Sequence, residues 1–220
     1  LPYLHQGRAI RLLKASKELE VLWTMTDAAR EEVLLPIRIP LLKGLMGYRI
    51  FIIRQEDQVK FRDINTLAQL RKLIAGQGHD WPDTQILRAN KLKVTTSSSY
   101  IGLFEMLQSK RFDYFPRSIT EAQSEQPLYQ PKGLITEDSL LLHYIAPFYF
   151  FVALANTTLA KRLETGLQIA LEDGSFDILL NSYFLDQAGP DWLKDKKVLH
   201  LKNPLLPPLT PVDNEQLWYR

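Results

Sequence analysis

Between Val21 and Arg54 the sequence VLWTMTDAAREEVLLPIRIPLLKGLMGYRIFIIR leaves few architectures open. Its apolar run VLWTM stops abruptly in hydroxyls and charge at Thr24, Thr26, Asp27 and Arg30. That is the pattern of a buried strand whose end meets a polar cleft. GYRIFIIR is a second β-rich run framed by Gly47 and Arg54, and PIRIP between the two holds too much proline for a helix. Strand, polar turn, extended segment and strand therefore follow one another, and the rest of the chain has to accommodate them in an α/β fold.

The flanking segments supply helices and further strands. LPYLHQGRAIRLLKASKELE carries apolar residues at Ile10, Leu12, Leu13 and Ala15 and reads as an amphipathic helix beside the strand from Val21 to Met25. Ile64, Leu67, Leu70 and Leu73 have helical spacing, and LIAGQG reads as a strand ending in a glycine-flanked turn. A helix should follow from Trp81 or Pro82, with proline suited to the first turn and Asp80 or Asp83 near the positive end. KLKVTT predicts a strand, SSSYIGLFEMLQSKR a helix capped by Ser97, Ser98 or Ser99, and FDYFPR a strand ending at Arg117. After a polar stretch over residues 118–133, the run SLLLHYIAPFYFFVAL predicts two strands, with His143 as a core residue. Asn156 should cap a helix with Leu159, Leu163, Leu167, Ala170 and Leu171 on one face, and Gly174 should stop it before a further helix. The proline-rich tail is expected to be pinned by Leu205, Leu206 and Trp218.

Composition narrows the function classes. The 220 residues suffice for one large domain or two small lobes. A formal charge of +2 without a basic block argues against a nucleic-acid partner. The absence of cysteine rules out disulfides, thiolate metal sites and cysteine nucleophiles, and suits an exported protein. No apolar run approaches the roughly 18 residues of a membrane span. No P-loop, dinucleotide fingerprint or G-x-S-x-G elbow is present, so neither a cofactor nor a serine hydrolase is expected. His79, Asp80 and Asp83 match no standard metal-ligand spacing, and Glu31 and Glu32, adjacent in sequence, suit a solvated face. No catalytic residue and no metal site is therefore expected.

The stretch around Thr24, Thr26 and Arg30 resembles the segment of family 3 extracellular solute-binding proteins, the type II periplasmic binding fold, in which a strand runs into a Ser/Thr-rich turn and a T-x-x-R element. Here one more residue separates Thr26 from Arg30. With GQGHDW and RFDYFPR, the phrase is similar to an uncharacterised bacterial branch of that superfamily. The resemblance implies a two-lobed α/β fold with a hinge of two crossover strands near Arg49 to Arg54 and Phe148 to Phe151, lacking the usual first strand and helix. Lobe I would comprise residues 1–50 and 150–220, and lobe II residues 51–149. It implies that Thr24, Thr26 and Arg30 hold a ligand carboxylate from lobe I, while Gln77, Gly78, Trp81 and Arg117 close from lobe II. Trp81 reads equally as core, and Arg117 either as a second cationic contact or as a partner of Glu121 or Glu125. The implied function is a monomeric periplasmic receptor, its leader removed, that passes a small anionic or amino-acid-like solute to a membrane permease. A sensory module on the same fold, read by a sensor protein, is the alternative, and a dehydratase-like enzyme the third.

Overall fold

The computed structural model describes residues 6–185 and 193–219. In chain order the strands are β1 (Leu22–Met25), β2 (Leu34–Ile37), β3 (Tyr48–Arg54), β4 (Ile74–Gly78), β5 (Lys93–Ser97), β6 (Phe115–Ser118), β7 (Leu134–Thr136), β8 (Leu140–His143), β9 (Phe148–Ala153) and β10 (Lys197–His200). The helices are α1 (Gln6–Lys14), α2 (Ala28–Glu31), α3 (Gln58–Arg62), α4 (Leu67–Leu70), α5 (Pro82–Ala89), α6 (Tyr100–Gln108), α7 (Ile119–Ala122), α8 (Gln126–Tyr129), α9 (Thr157–Glu172) and α10 (Ser175–Leu180). Two compact units result. Unit 1 holds Leu1–Gly44, Ala146–Pro190 and Leu205–Arg220, and unit 2 holds Leu45–Ile145 and Asp191–Pro204.

Unit 1 is built on a three-stranded sheet with β9 in the middle. β1 pairs it antiparallel on one side, Leu22 opposite Phe151, and β2 antiparallel on the other, Leu34 opposite Ala153. Proline at position 36 is tolerated because β2 is an edge strand. Leu13 of α1 packs with Leu34, Tyr149 and Phe151, with Ile10 against them, whereas Ala15, read as part of the same face, is exposed and lies past the end of the helix. Asn156 caps α9, its side chain accepting from the Leu159 amide at 3.3 Å. None of the sixteen residues of α9 is fully buried, so its apolar face is only half covered. The tail is fastened as expected by Trp218, whose indole N–H donates to the Pro211 carbonyl at 2.9 Å and whose ring covers Gly44. Gly44 has φ +77°, and a Cβ there would meet Trp218 Cε3 at 2.7 Å, so both the backbone and the lid above it require glycine.

Unit 2 is organised around β3, whose residues from Arg49 to Arg54 are all buried. β6, β7 and β8 pair it antiparallel, and β10 adds to β8 in parallel. β4 and β5 form a separate parallel pair. Pro82 opens α5, Ser99 caps α6 by accepting from the Gly102 amide at 3.0 Å, and both follow from the sequence. The Ile64–Leu73 periodicity yields only the four-residue α4, closed at its start by a capping box between Thr66 and Gln69. Asp191–Pro204, grouped with the first lobe on sequence, counts with unit 2 because Lys197–His200 lies beside Leu140–His143. The first two passages of the chain between units fall at residues 44–45 and 145–146, a few residues before the hinge ranges read from the sequence, and the excursion of Asp191–Pro204 into unit 2 adds two more. Among the described residues no helix is long and apolar enough to cross a membrane.

The core of unit 2 joins Ile52, Leu103, Phe104, Leu107, Phe112, Phe115, Tyr129 and Leu134. Gly76 lies close against it: a Cβ at this position would come within 2.2 Å of Phe112 Cζ. Overpacking of this kind costs about 1–3 kcal/mol. Gly76→Ala should therefore lower the urea midpoint by the equivalent of about 2 kcal/mol with the slope unchanged. An unchanged midpoint would mean that the ring moves aside freely.

Candidate functional site

In unit 1 the end of β1 and the turn after it join Thr24 and Arg30 in one hydrogen-bonded group, and Thr26 belongs to a neighbouring one with Glu31 and Arg38. Asp27 caps α2, accepting from the Arg30 amide at 2.8 Å, and its second oxygen pairs with Arg30 Nε at 3.1 Å. Capping and pairing by one carboxylate turn the arginine side chain back toward the strand. Arg30 Nη1 then donates to Thr24 Oγ1 at 3.1 Å and to the Met25 carbonyl. Nη2 donates to Gln6 Oε1 at 2.9 Å, and Gln6 Nε2 donates to Thr24 Oγ1 at 2.7 Å. Thr26 donates to Glu31 Oε1 at 2.7 Å, and the other oxygen of Glu31 accepts from Arg38 at 2.5 Å. Arg30 is 8% exposed, and Thr24 and Thr26 are more deeply buried.

The carboxamide of Gln6 thus bridges Arg30 and Thr24. Its oxygen takes an Arg30 N–H, and its nitrogen faces the Thr24 hydroxyl. No sequence signal singled out Gln6, which lies 24 residues before Arg30 on a different element.

In unit 2 the four residues read from the sequence are close neighbours, and most of them are occupied with packing. Gly78 accommodates the Trp81 ring, which a Cβ would strike. Trp81 stacks on Phe115 with ring centres 6.2 Å apart, and the Arg117 guanidinium lies 4.9 Å above the indole. Trp81 is accordingly a partly buried member of the core cluster. Gln77 Nε2 donates to the Pro116 carbonyl at 3.3 Å, and its Oε1 is buried without a hydrogen-bond partner among the described residues.

Arg117 resolves in favour of pairing. Its Nε and Nη2 grip Glu125 at 2.8 and 2.5 Å, and Nη2 also reaches Glu121 at 3.1 Å. Glu121 in turn approaches Arg49 at 3.6 Å, and Arg49 pairs with Asp83 at 2.7 Å, where Tyr144 also donates its hydroxyl proton. Two arginines and three carboxylates therefore balance to a formal charge of −1, and Arg117 adds no unmatched positive charge. Burial alone would lower the Arg117 pKa, but Glu121 and Glu125 outweigh it and hold the group above its ordinary value. Burial pushes the Tyr144 phenol well up, with Asp83 adding to the shift, so it is a neutral donor.

Asp83 is committed to this network, while His79 and Asp80 stand 3.8 Å apart near the surface. Among the described residues no three His, Asp or Glu side chains are arranged to hold a metal ion.

Solved structures place this arrangement among known folds. A binding component of an ABC transporter from Wolinella succinogenes DSM 1740, complexed with lysine, superposes with a TM-score of 0.62 at 12% identity, covering 87% of this chain and 79% of that one. The fold is that of the two-lobed periplasmic binding proteins. A histidine kinase sensor domain with similarity to such proteins matches with a TM-score of 0.59 at 13% identity, over 82% of this chain and 75% of the other. An ancestral amino acid-binding protein, a precursor of cyclohexadienyl dehydratase, gives 0.59 at 14% identity, over 80% and 73%. No protein-family model and no curated protein sequence matches the chain.

Proposed function

We propose that the chain is a solute-binding receptor of the periplasm that captures an amino acid or a similar small carboxylate and presents it to a membrane permease. We read it as a monomer, and as a binding protein, not a catalyst. The observation that carries this reading is the Gln6 carboxamide held by Arg30 and Thr24. A planar group with an acceptor oxygen is already received there, and a carboxylate makes stronger, charge-assisted bonds to the same guanidinium. Thr26, committed to Glu31, would have to turn before donating to a ligand. In unit 2 the unpartnered oxygen of Gln77 supports a donor-bearing ligand, whereas Gly78, Trp81 and Arg117 would contribute mainly by fixing the local packing. The likeness to a sensor domain supports the second reading, in which occupancy is read by a signalling partner.

A thermal-shift screen of amino acids and dicarboxylates tests this, with wild type and Gln6→Ala in parallel. A ligand at 100 times its Kd stabilises by about 2.7 kcal/mol, which corresponds to roughly 5–11 °C for a chain of this size. The expected result is a shift in wild type that grows in Gln6→Ala, because the competing amide is gone. No shift in either form from any carboxylate would sink the receptor reading.

A further inference from the structure

Unit 2 carries a pair of imidazoles that the candidate site does not use. β8 and β10 run parallel with His143 directly beside His200, so both rings lie on the same face of the sheet. Their Nδ1 atoms face each other at 3.3 Å, with ring centres 5.3 Å apart and planes nearly perpendicular at 85°. Tyr48, opposite His143 on β3, stacks on that ring at 4.2 Å and limits its rotation. His200 is exposed to solvent and His143 half-buried, which leaves the space between the two nitrogens reachable from outside.

We propose that His143 and His200 form a two-imidazole site for a divalent transition-metal ion of the zinc, nickel and copper group. Two nitrogens bound at about 2.05 Å to one tetrahedral ion stand about 3.3 Å apart, and their ring centres, each roughly 1.1 Å behind its nitrogen, about 5.1 Å apart. Both separations match those seen here. Imidazole selects borderline metals over magnesium or calcium, which require oxygen ligands. The two remaining positions are open to water or to an added ligand. Binding joins β10 to β8 through the ion, fastening the segment that contains Lys197–His200 to the body of unit 2.

The test is calorimetric titration of the untagged chain with zinc chloride at neutral pH, repeated for His143→Gln, His200→Gln and the control His79→Gln. One ion per chain is expected, with affinity at least tenfold weaker in either site variant and unchanged in the control. His200 is exposed, so its variant should fold as wild type does, and a far-ultraviolet dichroism spectrum verifies this. Equal affinity in wild type and His200→Gln, or a loss confined to His79→Gln, would overturn the assignment, as would no measurable heat in wild type. The site is separate from Arg30, so its failure leaves the receptor reading untouched.

Discussion

Arg117→Met is expected to lower the stability of the chain by about 3–5 kcal/mol, the usual result of removing one partner from a buried ion pair. Glu125 is 7% exposed and takes three hydrogen bonds from this guanidinium. Without it the carboxylate is left in a wall of Trp81, Tyr100 and Phe115, the rings that now lie under the arginine. Glu121 retains Arg49 and is a third exposed, so it contributes less to the loss. The double variant Arg117→Met/Glu125→Leu should recover most of the deficit, because well-packed apolar replacements of a buried pair are often neutral or stabilising. Urea unfolding of the single and double variants measures both. A single-variant cost below about 1 kcal/mol would show that water reaches Glu125 and that the network is a surface feature.

Arg30→Ala carries the second large effect, and it acts on two observables at once. The side chain ties Asp27, Thr24, the Met25 carbonyl and Gln6 together, so its removal unpairs groups on three elements of unit 1. A loss of about 3 kcal/mol is expected, at the lower edge of the buried-pair range because Asp27 is partly solvated. The shift produced by a carboxylate ligand should vanish as well. Arg30→Lys separates the two roles: an ammonium can hold Asp27 but cannot present a planar fork. Part of the stability should return, and little of the ligand shift. A ligand shift of full size in Arg30→Ala would make the arginine purely architectural and place the binding site elsewhere.

Local signals in the sequence proved reliable where a single residue does one local job. Pro82 at the start of α5, a serine cap on α6, supplied by Ser99 of the three candidates, Asn156 as the cap of α9 and Leu13 on the buried side of α1 all appear where they were read. Features decided by distant partners were not legible. Arg117 had two readings, and only the fold brings Glu125 under it with three aromatic rings around. β10 was missed because four residues with no alternation become a strand only by lying beside β8. The apolar spacing of α9 announced a buried face, but spacing does not say how much neighbouring surface is there to cover it, and no residue of α9 is fully buried. Gln6 illustrates the same limit within the candidate site. An amide on a polar helix start carries no mark that it will reach an arginine on another element.

The order of β1, β9 and β2 in the sheet of unit 1 has a kinetic meaning. The middle strand is the last of the three to leave the ribosome, and every residue of unit 2 from Leu45 to Ile145 precedes it. Until Phe148–Ala153 arrives, β1 and β2 have no strand between them and α1 has no Tyr149 or Phe151 to pack on. Contacts so far apart in sequence carry a loop-closure penalty before they return any energy, and they form slowly. The contiguous stretch of unit 2 closes somewhat shorter loops, the longest of them between β3 and β8, Tyr48 opposite His143. Unit 1, which holds the Arg30 cluster, therefore matures late, and the candidate binding residues become ordered only after a large part of the chain has already found its structure.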